Sequence, residues 1–584
     1  CGPLTTALAA TCAAALLAIA GPARAAVSYT GYIASFFGGT LTPFNTATNG
    51  LGATIAVNHP AAVAITPDGS TAWIANYLEG TVTPLDLATG GVGNAVTVGT
   101  KPDDIAITPD GAQAYVTNFG SNSVSVIDLS TKAVTATIAV GWAPDSIAIT
   151  PDGTKAYSSN SGAGTVTPIT TSNNTAGPAI TVGISPDTLA VTPDGSTVWV
   201  GNLTSNTITP ISTATDTAGP SLTVNEPSAI GITPDGTKAY VGNWNAGTVT
   251  PVTLSTDSVG SPIPAGFGSF GIPLAGGVNP YQIAITPDGA TAYFGDDNSH
   301  TVTPINVATD TAGPNVALGS GPEGLAITPD QAPAASFSVS PAPAGSPTAF
   351  NASASTVRYG AIVSYAWNFG DGHTATTSTP TAAHTYATPG KYTATLTETD
   401  TAGTSTAQVF TGKTMSRDGA PSARATRTVS VPPLRVVIST KMATITPHGD
   451  VPIHLKCPSR ARRACVGTLT IQLAQRGSRR GYALSARCAR GCRPLGRAHF
   501  YIHAGRMIRV EVRISSYGRR LLAQRKTLRA TVTAGTVSGG RTAVTVRTIT
   551  LRARTGSKKR HSAGNALGLL LGLTLERSHR YPGW

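Results

Sequence analysis

Between residues 27 and 331 short apolar runs alternate with polar turns at a fixed beat. Asp104-Ile105-Ala106-Ile107-Thr108 predicts a short strand. Pro109-Asp110-Gly111 predicts a turn, because Pro presets φ and Gly accepts φ > 0. Ala114–Thr117 predicts a second strand, Asn118–Asn122 a polar turn, Val124–Leu129 a third strand and Val134–Val140 a fourth. A unit of four strands in about 42 residues cannot bury both of its faces alone, so such units must stack on one another.

The beat is a repeat. Pro-Asp recurs at Pro67, Pro109, Pro151, Pro193, Pro234, Pro287 and Pro329, with spacings of 42, 42, 42, 41, 53 and 42 residues. A second motif follows most copies: Trp73-Ile-Ala-Asn76, Tyr115-Val-Thr-Asn118, Tyr157-Ser-Ser-Asn160, Trp199-Val-Gly-Asn202, Tyr240-Val-Gly-Asn243 and Tyr293-Phe-Gly-Asp296, with Tyr32-Ile-Ala-Ser35 as a seventh. Thr-Val-Thr-Pro comes next, as at Thr81–Pro84, Thr165–Pro168, Thr248–Pro251 and Thr301–Pro304. The region opens on the second half of a repeat and closes on the first half of another, Leu325–Asp330. Joining the two halves into one composite unit gives seven units and leaves no open sheet edge. These residues resemble the YVTN β-propeller repeat family, whose motif stands literally at 115–118. The resemblance covers about 300 residues and implies an all-β, seven-bladed propeller over 26–331, of the secreted or surface-layer kind, that binds or scaffolds.

Residues 332–432 carry a different pattern. Phe337-Ser-Val339 and Tyr392–Leu396 alternate like strands, and between them stand Trp367-Asn-Phe-Gly-Asp-Gly372 and His384-Thr-Tyr386, with Pro389-Gly390-Lys-Tyr392 next. This set resembles the PKD domain, an Ig-like β-sandwich of surface proteins. The resemblance implies that Trp367 and Phe369 are core residues and that Asp371-Gly372 makes a turn. The long basic exit Lys413–Arg427 departs from that pattern and blurs the end of the domain.

Residues 433–555 predict a third, basic β-rich module of sandwich type. Leu469, Ile471 and Leu473 alternate with polar residues, as do Ile508, Val510, Val512 and Ile514, with Arg509, Glu511 and Arg513 opposite. Leu528, Ala530 and Val532 repeat the alternation, which describes a half-buried antiparallel sheet with an Arg-rich outer face. Residues 556–584 read as a flexible tail, and its apolar stretch 566–575 is too short for a membrane span, which needs about 20 apolar residues.

Composition narrows the class. Charged residues make up only 12% of the 584, with 64 Gly and 42 Pro, against helical bundles and coiled coils. A hydrophobic content of 41% opposes wholesale disorder. The net charge of +13 conceals a split: residues 433–584 hold 30 Lys/Arg and 3 Asp/Glu, whereas residues 27–331 hold 4 and 21. The basic face suits anionic envelope polymers by charge, or docking on the acidic repeat region, and bears no signature of sequence-specific nucleic-acid reading.

The apolar run 4–20 followed by Ala23-Arg24-Ala25 predicts a signal peptide over 1–25 and an exported, cell-surface or cell-envelope protein. In that compartment Cys457, Cys465, Cys488 and Cys492 predict disulfides, with 457–465 and 488–492 ranked first among three connectivities and a zinc site ranked below them.

Catalytic signatures are scarce. Gly266-Phe-Gly-Ser-Phe-Gly271 fits G-x-G-x-x-G, but it sits in the insertion that lengthens one repeat and no helix follows. Gly412-Lys413-Thr414 echoes a phosphate-binding loop, yet Ala407 stands where its first Gly should be. His59 and His300 are the only histidines in the repeats, which disfavours copper and haem. One constellation remains. The residue after the Pro that opens each first strand is Asp103, Asp145, Asp187 or Glu323 in four repeats, and Ala61, Ser228 or Tyr281 in the others. In a ring these acids line the rim of the channel, where they would bind Ca²⁺ or a cationic ligand. The competing reading makes each a local turn cap. The expectation is a non-catalytic exported protein with no obligatory cofactor, binding an extracellular protein or polysaccharide. The alternative is a propeller enzyme of lactonase or lyase type.

Overall fold

The computed structural model describes residues 27–265, 282–297, 299–459, 461, 464–474, 494–538 and 541–555. The expected signal peptide, the Gly266–Gly271 loop, Tyr281, Cys488, Cys492 and the tail 556–584 lie outside the described residues. The chain forms two compact units. The first takes the described residues up to Pro341 with 348–384 and 391–430, and the second takes 342–347, 385–390 and the described residues from 431 onward.

In the first unit the repeats form seven successive antiparallel sheets. Their first strands are Gly324–Ile327 in sheet 1, then Pro60–Ile65, Pro102–Ile107, Pro144–Ile149, Pro186–Val191, Pro227–Ile232 and Ile283–Ile285 in sheets 2 to 7. Each first strand neighbours those of the sheets before and after it, and that of sheet 1 neighbours that of sheet 2, so the order is cyclic. Sheet 1 is composite: Thr30–Ser35, from the start of the region, pairs with Gly324–Ile327, from its end.

The repeated residues hold this arrangement by identifiable bonds. At the Pro-Asp-Gly turn, Asp110 Oδ1 accepts from Thr108 Oγ1 (2.6 Å) and from Ala112 N (2.9 Å), while Gly111 takes φ 70°, which costs glycine nothing. Asn160 of the second motif is wholly buried. It donates from Nδ2 to Thr165 Oγ1 (3.1 Å) and Thr167 Oγ1 (2.9 Å), and accepts at Oδ1 from Gly141 N (3.1 Å). Asn118 and Asn202 repeat the scheme. The threonines of Thr-Val-Thr-Pro are therefore partners of the buried Asn, and a buried polar group so satisfied is stable. The motif tyrosines reach the outer hairpin of the next sheet: Tyr157 Oη to Asp216 Oδ1 (2.6 Å), Tyr240 Oη to Asp310 Oδ1 (2.5 Å) and Tyr293 Oη to Asn49 Oδ1 (2.8 Å). The last of these ties sheet 7 to sheet 1.

Residues 332–430 belong almost wholly to the same unit. Two sheets form there, Ser338–Ser340 with Pro347–Asn351 and Thr381–Thr385, and Thr374–Thr377 with Ile362–Asn368, Gly390–Asp400 and Arg424–Val431. Trp367 is buried against Phe337 and Phe350, at centroid distances of 5.5 and 5.7 Å, as the sequence implied. The basic exit does not trail from this sandwich. Val409–Phe410 and Met415–Asp418 pair with each other, and Met415–Asp418 pairs with Asp330–Gln331 at the end of the repeats.

In the second unit Val437–Ile438, Asp450–Lys456 and Met507–Arg513 form one sheet. Met442–Thr444, Arg541–Arg552, Thr527–Ser538, Cys465–Leu473 and Gly496–Ile502 form another. Leu469, Ile471, Val510, Val512, Ile514, Ala530 and Val532 are buried as the alternation predicts, whereas Leu473, at a strand end, is exposed. Cys457 and Cys465 are disulfide-bonded, with Cα atoms 5.7 Å apart. A helix at Ser516–Arg525, capped by the Ser515 side chain accepting from Gly518 N, was not foreseen. Its arginines blunt the apolar signal that marks a helix.

Candidate functional site

The first strands of sheets 3, 4 and 5 each begin Pro-Asp, which places Asp103, Asp145 and Asp187 side by side at one end of the central channel. The carboxyl of Asp145 lies within hydrogen-bonding reach of those of Asp103 and Asp187, and of the Ser161 hydroxyl. Asp103 is 4% exposed, and its Oδ1 has no hydrogen-bond donor among the described residues. Burial, joined by the Asp145 charge, pushes Asp103 and Asp187 well above the usual carboxyl range. Burial also raises Asp145 to about 6, with hydrogen bonds from Asp103 and Asp187 opposing the rise. Three contiguous carboxyls, Asp103 buried and Asp145 and Asp187 half-buried, oppose one another's ionisation, so the row tends to share protons.

Glu323 does not join them. It is 2% exposed, neither of its carboxylate oxygens has a donor among the described residues, and burial with the nearby Asp297 charge pushes it up to about 9. Sheet 2, which carries Ala61, separates its strand from that of Asp103. The four-acid rim expected from the sequence is therefore a row of three acids and one separate acid. Nor are the row residues turn caps: that task falls to the Asp of each Pro-Asp-Gly turn, such as Asp110, Asp152 and Asp194.

The chain itself lies across the other end of the first strands in sheets 2 to 5. Val191 N donates to Thr411 O (3.2 Å), Ile149 N to Gly412 O (2.7 Å), Ile107 N to Lys413 O (3.0 Å) and Ile65 N to Thr414 Oγ1 (3.3 Å). One residue of the segment thus caps the first strand of each of four successive sheets. Gly412 has φ 121°, and a Cβ there would stand 3.1 Å from Ala148 Cβ and 3.3 Å from Val191 N. Phe410 and Met415 anchor the segment among Ala106, Ile147 and Ile149. Lys413 Nζ reaches Asp104 Oδ2 at 2.7 Å. Asp104 also accepts from Ser146 Oγ (2.8 Å), Ile147 N (3.0 Å) and Ile105 N (2.9 Å). The residues read as a failed phosphate loop are a plug. A cavity of about 110 Å³ remains, lined in part by Asp103, Asp104, Asp145, Asp187 and Lys413.

The open end has aromatic surroundings that sequence reasoning missed. Phe36 and Tyr77 immediately follow Ser35 and Asn76, and their rings meet edge-on at 6.0 Å, with Lys101 Nζ 5.5 Å from the Tyr77 centroid. Burial, together with the charges of Asp103, Asp145 and Glu323, raises the Tyr77 hydroxyl. Because Pro102 pairs with Asn118, the loops after each second strand and before each first strand share this end. They carry Phe37 (62% exposed), Leu78 (58%), Trp142 (67%) and Ile184 (64%). The available signal was a large apolar residue inside an otherwise Gly/Asn/Ser loop.

A protein-family model described as PKD domain matches residues 330–414. Such domains are typically extracellular and suggest an adhesion-type module, and among the described residues no helix is long and apolar enough to cross a membrane. No curated protein matches the chain. Among solved structures, hydrazine synthase of Kuenenia stuttgartiensis is 26% identical over 46% of this chain and 89% of its own, with TM-score 0.41. A functionally unknown protein of Desulfotomaculum acetoxidans is 20% identical over 51% and 99%, with TM-score 0.46. A putative 6-phosphogluconolactonase of Bacteroides uniformis is 16% identical over 51% and 99%, with TM-score 0.44. At these scores the likenesses carry no functional assignment.

Proposed function

We propose that the chain is an exported, non-catalytic surface protein that binds an extracellular protein or polysaccharide. In this reading its repeats are a seven-bladed propeller of YVTN type and its second unit holds to anionic envelope polymers. The observation that carries the reading is the plug. With 411–414 seated at the turn end of sheets 2 to 5, the acid end is the less obstructed one, and Phe37, Leu78, Trp142 and Ile184 stand exposed there. Exposed apolar side chains gathered on one face mark recognition surfaces. In the second unit Arg509, Arg513, Arg519, Arg520, Arg525 and Arg529 are all exposed, which suits charge-driven attachment.

The test is binding of the intact chain to isolated cell-envelope fractions, beside two variants. Arg509, Arg513, Arg519 and Arg520→Gln weakens attachment at low salt. Phe37→Ala with Trp142→Ala leaves attachment intact and abolishes capture of the extracellular ligand. Equal behaviour of all three proteins contradicts the reading. One observation favours the second reading, an enzyme of lactonase or lyase type: Asp145, pushed up to about 6, is suited to proton transfer. Lactone hydrolysis lost in Asp145→Asn would decide for it.

A further inference from the structure

Asp371, His373 and His384 converge in the sandwich part of the first unit. Asp371 Oδ2 lies 2.8 Å from His384 Nε2, and Asp371 Oδ1 lies 3.3 Å from His373 Nδ1. One donor atom from each residue falls within 4.8 Å of the other two. We propose that these three residues bind a divalent transition ion of the zinc class.

Three features make the cluster suited to a metal. First, the imidazoles approach different oxygens of one carboxylate, so an ion between them meets two nitrogens and one oxygen. Tetrahedral zinc, with ligands at about 2.0–2.2 Å, needs donors about 3.3 Å apart. The His373–Asp371 separation of 3.3 Å meets that value and the His384–Asp371 separation of 2.8 Å falls short of it, and His373, with its side chain 72% exposed, has room to move to complete the closure. Second, the other two ligands are already fixed. The His384 ring stacks on Phe369 at 4.2 Å with a 5° interplanar angle, and its side chain is 12% exposed. The Asp371 turn is held by Phe369 N donating to His373 O (3.0 Å) and Gly370 N donating to Asn368 Oδ1 (2.9 Å). Third, the carboxylate is held at both oxygens: His384 Nε2 meets Oδ2 at 2.8 Å and His373 N donates to Oδ1 at 3.3 Å.

The donor set selects the metal. Two imidazoles and a carboxylate favour Zn²⁺, Co²⁺, Ni²⁺ or Cu²⁺ over Ca²⁺ and Mg²⁺, which prefer oxygen donors only. Three protein ligands leave a fourth position on the side where His373 is exposed, open to water or to a donor from a bound partner. An Asp–His pair alone would pin the turn. The second histidine is what turns the pin into a chelate.

The experiment titrates the full, tag-free, chelator-treated chain with Zn²⁺ by calorimetry, and with Co²⁺ by visible absorption. One equivalent of Zn²⁺ is expected to bind, and Co²⁺ is expected to show d–d bands of a low-symmetry nitrogen–oxygen site. His373→Ala weakens Zn²⁺ binding about 10–100-fold or more and removes the Co²⁺ bands. Because His373 is exposed, that variant keeps the wild-type melting temperature without metal. Ca²⁺ gives no heat at this site. No Zn²⁺ uptake, or uptake and Co²⁺ bands unchanged in His373→Ala, overturns the proposal and assigns any binding to other surface histidines.

Discussion

Two regions of this protein concentrate charge of opposite sign, and they treat it in opposite ways. The repeats bury carboxyls at the starts of their first strands and at their exit: Asp103, Glu323 and Asp330 are at most 4% exposed. The second unit spreads its arginines over the surface of a sheet and a helix. Arg stays ionised everywhere. A buried carboxyl responds to desolvation by keeping its proton. A count of residues therefore overstates the acidity of the repeats and describes the basic unit fairly. The tally of 4 Lys/Arg against 21 Asp/Glu over 27–331 is a property of the unfolded chain.

The Lys413–Asp104 charge pair gives the sharpest way to break this comparison. Asp104 has a 7% exposed side chain, and Lys413 faces it. Lys413→Met leaves that carboxylate without its cation. The expected loss is about 2–4 kcal/mol, at or below the usual cost of breaking a buried pair because Lys413 is itself 27% exposed. Denaturant unfolding measures it, and an unchanged midpoint would mean that the plug is not held by charge. Replacing Asn160 by Ala removes two donor bonds and leaves Gly141 N without its acceptor, at a cost of about 2–3 kcal/mol in the same assay.

Asp330 sharpens the comparison further. It accepts from Thr404 Oγ1 at 2.5 Å, and burial, with the Asp400 carboxyl adjoining, pushes it up to about 8. Its folded pKa lies above its unfolded one, so its contribution is fully present below the unfolded value and is lost as pH rises through about 8. Asp330→Asn removes that loss and is expected to stabilise the protein at pH 9 relative to pH 5, read as a reversal of the midpoint difference between variant and wild type. Smallest is Tyr293→Phe, which removes the hydroxyl joining sheet 7 to Asn49 and Thr46, at about 1 kcal/mol. An equal effect from Tyr157→Phe would show that the closing sheet is no weaker than its neighbours.

What the sequence revealed follows the range of the interactions. The repeats were legible because each motif acts within its own unit or on the next one: Pro109-Asp-Gly closes its own hairpin, and Asn160 meets Thr165 and Thr167 a few residues on. The composite sheet was legible because half a repeat stood at each end. The plug was not, because nothing near Lys413 announces Asp104 as its partner. The acids were found by register, yet register alone could not tell that sheet 2, which presents Ala61, would part Glu323 from the row. The sandwich motif residues gave their core roles. The convergence of His373 with His384 on Asp371 needed the fold of the turn.

The account rests most on the buried carboxyls keeping their protons, and the pH dependence of stability tests that directly. Asp103, Asp187, Glu323 and Asp330 are raised, and Asp145 reaches about 6. The folded chain should therefore bind more protons than the unfolded chain between pH 6 and 8. Unfolding free energy should then fall with rising pH, by about 1.4 kcal/mol per pH unit for each extra proton held. A stability that is flat or rises between pH 6 and 8 would contradict the account, because the channel acids would then be ionised and the two regions would carry their charge alike.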